Sequence, residues 1–200
     1  MFKKLRNLFS SKHGSPSPEE KAKAVYFVLI SHGNTISKDI LNSSPEQFQT
    51  SYAFKEFLAN EIGVILCLNS TREGYERFFE DSHERELFTA RLSFLFKNHL
   101  HIPWDIFLQY INLGENAEEP DKLFMHLFAG RIFAFLRGEE NLIQYEKLLM
   151  FSYHPEAMVY VEFYVRIFEM VVRILKEFAG KDASALKIIE MSNKLDESFG

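Results

Sequence analysis

Residues 156–178 read EAMVYVEFYVRIFEMVVRILKEF, and the spacing of charge in this stretch decides the fold class. Glu162, Arg166, Glu169, Arg173 and Lys176 follow one another in steps of four, three, four and three. That spacing lines them up along one side of a helix. Glu162 before Arg166 and Glu169 before Arg173 are acid-before-base pairs at the favoured separation, each stabilising a helix by roughly 0.3 kcal/mol. Nearly every other position is apolar, and a helix with one narrow polar stripe must be covered over most of its circumference. The pattern therefore predicts a central helix around which the rest of the chain is organised. Pro155 suits its first turn and Gly180 its end. The segment VYVEFYV alternates as a strand would, but the period returns at once to about 3.5. A membrane span would have the right length at about 1.5 Å per residue, yet charges spread along it are too costly at mid-bilayer.

Composition points the same way. The chain has 200 residues, 21 of them Phe, with only 9 Gly and 6 Pro. This favours thick aromatic packing between helices over a turn-rich β fold, in one domain large enough to bury a core. The net charge of −5 gives no support to nucleic-acid binding, which needs a basic face. The one cysteine, Cys67, lies in the apolar run VILCL and reads as a small buried hydrophobe. It excludes a disulfide framework and a cysteine-rich zinc site. The N-terminus has no continuous apolar segment of the secretory kind, so a reducing, cytoplasmic location is expected.

Along the chain, residues 1–17 read as a basic arm and linker, and residues 18–200 as a single helical domain. The arm, MFKKLRNLFSSK, sets Lys3, Lys4 and Arg6 beside Phe2, Leu5, Leu8 and Phe9. It suits an electrostatic foot on an anionic membrane or an acidic partner, a frayed first helix docked on its own domain, or a segment with no ordered structure. Ser17-Pro18-Glu19-Glu20 forms a capping box that opens a helix expected to stop at Gly33-Asn34, with a short piece over residues 36–41. Ser44-Pro45-Glu46-Gln47 repeats the cap chemistry ahead of a helix reaching about Leu68, which Asn69–Thr71 is expected to break before another over residues 72–80. Asp81-Ser82 caps a helix over residues 83–100, with Leu87, Phe88, Leu92, Leu95 and Phe96 inward. Pro103 restarts the chain into residues 104–112. The acidic loop GENAEEPD (114–121) precedes a helix over residues 122–137, where Ala129, Gly130 and Ala134 allow close approach of a neighbour. Gly138 ends it. Helices over residues 139–151 and 182–199 complete the set, the last with Leu186, Ile189 and Leu195 as its apolar face. The fold expected is all-α, an irregular helical bundle or a short armadillo-like stack.

No phosphate-binding glycine loop, HExxH pair or nucleophile elbow is present in the sequence. His83, His99, His101, His126 and His154 are scattered, and His99 and His101 cannot share a helical face as paired ligands would. A Phe-rich helical chain can hold haem on one axial histidine, and His99 is the best placed for such a sensor role.

Three stretches carry a family resemblance: the aromatic-basic start and linker FKKLRNLFSSKHGSPSP (2–18), the turn Ser152-Tyr153-His154-Pro155-Glu156, and Arg166-Ile-Phe-Glu169 in the helix that follows. In these the chain resembles the calcium-binding protein 39 family. The resemblance implies a stack of armadillo-like helical triplets that works as a non-catalytic adaptor, binding and activating protein kinases. The reading from the residues themselves is likewise a non-enzymatic, cofactor-free helical scaffold that binds a protein partner. Trp104, Tyr110, Arg131 and Arg137 are its candidate anchors, because aromatic and arginine side chains dominate such surfaces. The alternatives are a haem- or small-ligand-binding sensor and a membrane-associated protein held by Lys3, Lys4 and Arg6.

Overall fold

The computed structural model of the chain describes residues 15–139, 142 and 144–199. The expected arm residues Lys3, Lys4 and Arg6 lie outside the described residues. The helices are α1 (Pro18–Ser43), α2 (Glu46–Gln49), α3 (Tyr52–Arg77), α4 (Ser82–Asn98), α5 (Trp104–Glu115), α6 (Pro120–Leu136), α7 (Tyr145–Ser152), α8 (Met158–Phe178) and α9 (Ala185–Phe199), with one 3-10 turn, Pro155–Ala157, ahead of α8. There is no strand among the described residues. The fold is all-α. No helix among the described residues is long and apolar enough to cross a membrane.

Local chemistry sets several of the helix ends as expected. The Ser17 hydroxyl accepts from the Glu20 amide while the Glu20 carboxylate accepts from the Ser17 amide, a complete capping box. Asp81 caps α4 by accepting from the Glu84 amide at 2.9 Å. Gly138 follows α6 with φ 76°, a left-handed value that glycine adopts at no steric cost.

The centre of the molecule is α3. It packs against α1, α4, α5, α6 and α8, and every residue from Glu61 to Thr71 is buried. Three turns without an exposed face mean that this helix runs through the core. The expected central helix, α8, instead lies along one side. Its line Glu162, Arg166, Glu169, Arg173 and Lys176 is exposed, as the spacing required, while Tyr160, Phe163, Tyr164, Ile167, Val171, Ile174 and Leu175 are buried. Arg166 does not turn to Glu162 but pairs with Asp39 of α1 at 2.8 Å.

Two expected breaks are absent. Asn69, Ser70 and Thr71 lie inside α3, because their polar groups find partners without leaving the helix. Ser70 Oγ donates to the Leu66 carbonyl at 2.6 Å and Thr71 Oγ1 to the Cys67 carbonyl at 2.7 Å. Asn69 Oδ1 accepts from the Tyr164 hydroxyl at 3.2 Å. Gly33 likewise does not end α1. It gives the helix a flat place where Leu66 packs, and a Cβ there would stand 2.8 Å from Leu66 Cδ1.

Other boundaries also differ. The cap expected at Ser44-Pro45 does not form: the Ser44 hydroxyl donates back to the Ile40 carbonyl at 2.8 Å, only the single turn α2 follows, and Ser51 caps α3, accepting from the Phe54 amide. The helix expected over residues 139–151 is the shorter α7. In α9 the buried positions are Ile188, Ser192 and Leu195, whereas Leu186 is 73% exposed. The amphipathic face is therefore set by Ile188 and Leu195, seven apart.

Helix α1 packs along both α4 and α9, and Lys23 of α1 pairs with Asp196 of α9 at 2.8 Å. The first and last described helices are thus neighbours. In a linear repeat stack each unit touches only the units beside it. The arrangement is accordingly that of an irregular bundle.

Candidate protein-docking groove

The sequence of α6 prepares both of its faces. FMHLFAGRIFAFLRG (124–138) buries His126 through Ala134 almost without interruption, leaving Arg137 exposed beyond them. Gly130 supplies the close approach expected of it. A Cβ at this position would lie 2.0 Å from the carbonyl oxygen of Leu148, so the backbone of α7 rests directly on α6. Leu148 is buried against it, while Met150, two positions on, points away and is 77% exposed.

Between α6 and α7 lies an open groove of about 530 Å³, lined by Phe133, Arg137, Lys147, Met150, Phe151 and His154. Its floor is aromatic. Phe133 stacks on the His154 ring with centroids 4.7 Å apart and meets Phe151 edge-on at 6.1 Å. Its charged lining is wholly basic. The Arg137 guanidinium sits 4.9 Å over the Phe133 ring, and the Lys147 ammonium 5.8 Å over the Phe151 ring. Two carboxylates reach these cations from outside the lining: Glu156 pairs with Arg137 at 3.0 Å, and Glu139 pairs with Lys147. The Arg137–Glu156 pair is solvent-exposed and hence weak, worth about 0–1 kcal/mol, so a competing carboxylate can replace it, whereas the Lys147–Glu139 pair is part-buried. His154 Nδ1 accepts from the Glu156 amide, capping the turn that closes this end of the groove.

Behind the groove stands a buried polar cluster. Arg131 of α6 is 3% exposed and Glu61 of α3 is fully buried. Arg131 donates from Nε at 2.8 Å and from Nη2 at 2.7 Å to Glu61 Oε1, and from Nη1 to the carbonyl of Leu142. Burial lowers the Arg131 pKa, but the facing Glu61 charge more than offsets it, so the guanidinium stays protonated. The Tyr110 hydroxyl stands beside the same carboxylate. Burial first, and the Glu61 charge second, hold its phenol well above the usual tyrosine range. At the far end of α7 the Ser152 hydroxyl donates to the Leu149 carbonyl and accepts from His126 Nδ1 at 3.1 Å. Burial, with Lys122 nearby, holds the His126 imidazole below its ordinary value.

Of the four candidate anchors, one lies on the groove. Arg137 lines it. Arg131 and Tyr110 are core residues and present nothing to solvent. Trp104 is half-buried at the start of α5, stacked on Phe107 at 4.4 Å beneath the Lys97 ammonium, and does not meet the others at one site. His99 packs edge-on against Phe94 and lines neither this groove nor the cleft described next. The other large concavity, of about 650 Å³ between α1 and α8, is lined by His32, Thr35, Ile36, Arg166, Glu169, Met170 and Arg173. Its charged lining is of mixed sign, with Glu169 beside Arg166 and Arg173. The groove residues Phe133, Lys147, Met150, Phe151 and His154 were not singled out as anchors by the sequence. The available signal was Met150 with Tyr153, apolar residues three apart that fall outward once Leu148 is turned to α6.

Comparison of the chain with models of known protein families, with curated proteins and with solved structures finds no match.

Proposed function

We propose that this protein is a non-catalytic helical adaptor, and that it holds a protein partner by an acidic segment carrying an apolar anchor residue laid in the α6–α7 groove. The observation that carries this reading is the lining itself. In a chain of net charge −5, the two charged side chains lining this concavity, Arg137 and Lys147, are both basic, and the remainder are Phe133, Met150, Phe151 and His154. An apolar side chain would fill the aromatic floor, and carboxylates beside it would take the places of Glu139 and Glu156 on Lys147 and Arg137. Opposite charge at such a rim selects the partner and speeds its approach more than it adds affinity. The chain's own residues 1–14 carry Lys3, Lys4, Arg6 and Lys12 and no acid, so the sign of the groove disfavours them as occupant. The turn Ser152–Glu156, one of the stretches that resemble the calcium-binding protein 39 family, closes one end of the groove. A protein kinase is therefore the partner class to test first. A cytoplasmic setting accords with the single cysteine, which is buried and free.

The test is site-specific photo-crosslinking in cells, with the reactive group placed at Met150 and, as control, at Leu186, which is exposed on α9. A protein captured from Met150 and not from Leu186, and lost when Arg137 and Lys147 are both changed to Glu, is expected. Equal capture at both positions, or capture indifferent to the charge changes, would contradict the reading.

A further inference from the structure

Helix α7, the wall that carries Lys147, Met150 and Phe151, is attached to the molecule at three points of different chemistry. At its end, Ser152 accepts from His126. At its middle, the Leu148 carbonyl lies over Gly130. Ahead of its first turn, the Leu142 carbonyl accepts from Arg131. The first two contacts lie between α6 and α7 alone. The third reaches into the core, because Nε and Nη2 of the same guanidinium are both held by Glu61 of α3. A guanidinium is a rigid planar fork, so with two donors fixed on Glu61 the direction of the third is fixed as well.

We propose that Arg131 is the positioning residue of the groove. It transmits the place of Glu61 in the core to the Leu142 carbonyl, and so sets where α7 lies relative to α6. The proposal rests on the groove being the docking site, but the latch itself is a property of the protein without a partner. Beyond these three attachments, α7 is held by the buried Leu148, by Phe151 against Phe133 and by Lys147 on Glu139, and it packs on α6. At 8 residues it is too short to be helical by itself, and its outer side is open to solvent. Release of the latch therefore opens α7 locally while the core stays closed, since such openings follow contact density.

Lysine separates the two roles of Arg131. It keeps a positive charge beside Glu61 but presents a point charge in place of the fork, and cannot hold the carboxylate and the Leu142 carbonyl in the same geometry. Amide hydrogen exchange of the full chain, free of any partner, compares wild type with Arg131→Lys. The expected result is exchange about tenfold faster or more in Tyr145–Ser152, with less than about twofold change in residues 61–71. Equal acceleration in both segments would reduce Arg131 to core support and overturn the proposal, as would unchanged exchange in α7. Should the lysine variant not fold, Glu61→Leu together with Arg131→Met removes the fork and both buried charges at once. The same selective acceleration of α7 is then expected, and its absence overturns the latch. A negative result in this partner-free measurement leaves the docking reading intact, and failure of crosslinking at Met150 leaves the latch intact.

Discussion

Arg131 stands within α6 and Arg137 caps its end, each beside a carboxylate, and their surroundings differ. Arg131 is buried with Glu61, and each loses its hydration for the pairing. Arg137 lies half in solvent over Phe133, with Glu156 as a replaceable neighbour. The first belongs to the fold and the second to the surface. The same residue type, in one helix and at its end, is thus buried or solvent-exposed according to what covers it.

Breaking the comparison at its buried end has the largest expected effect. Arg131→Met leaves the Glu61 charge uncompensated in the core and costs about 3–5 kcal/mol in denaturant unfolding, whereas Arg137→Ala changes stability by less than about 1 kcal/mol. The double change Glu61→Leu with Arg131→Met removes both charges and recovers most of that loss, because a buried pair is often no more stabilising than apolar side chains of similar size. Stability that stays low in the double variant would show that the pair contributes more than mutual neutralisation.

Gly130→Ala comes next. The added methyl meets the Leu148 carbonyl, a backbone atom that cannot rotate aside, and α7 must move. Overpacking of this kind costs about 1–3 kcal/mol. It should also disturb crosslinking from Met150, while Gly138→Ala, a position with open space but a positive φ, should lower stability without touching the groove. Tyr164→Phe then removes the donor to Asn69 Oδ1 inside α3, at about 1 kcal/mol or somewhat more, read as a lower unfolding midpoint.

The smallest effect is on pH. The His126 pKa is depressed in the folded protein relative to an ordinary histidine near 6.5. The unfolded chain therefore binds this proton first as pH falls, and stability declines from about pH 6.5 downward, through the folded pKa, with no contribution above it. Replacing His126 by Gln should flatten the thermal midpoint across that window. A variant with an unchanged slope would remove His126 from the account of acid sensitivity.

The outcome for the sequence reading follows the same division between surface and interior. Boundaries decided by local chemistry were legible: the Ser17 box, the Asp81 cap, the Gly138 stop and the exposed charged line of α8. What failed was what tertiary burial decides. Asn69-Ser70-Thr71 looks like a helix break because short polar side chains compete with the helical backbone. Within the core those hydroxyls fold back on their own helix, and Tyr164 supplies the amide's partner. The middle of α3, residues 61–71, is buried on every side and has no amphipathic period to announce it, so the strongly periodic α8 stands out in its place. The candidate site was half legible for the same reason. Arg137 and Arg131 cannot be told apart in FAGRIFAFLRG, since what separates them is the cover that α7 provides, and α7 is a short helix placed by Gly130, Arg131 and His126.

The property proposed for the groove is recognition of acidic segments around an apolar anchor. Selection of a random peptide library, displayed on phage, against the full chain tests it most directly. Enrichment is expected of peptides with Asp or Glu flanking an aromatic, Leu or Met residue, whose binding is lost on Arg137→Glu together with Lys147→Glu and on Met150→Asp. Enrichment of basic or uncharged peptides, or of acidic ones that bind those variants as well as wild type, would contradict it.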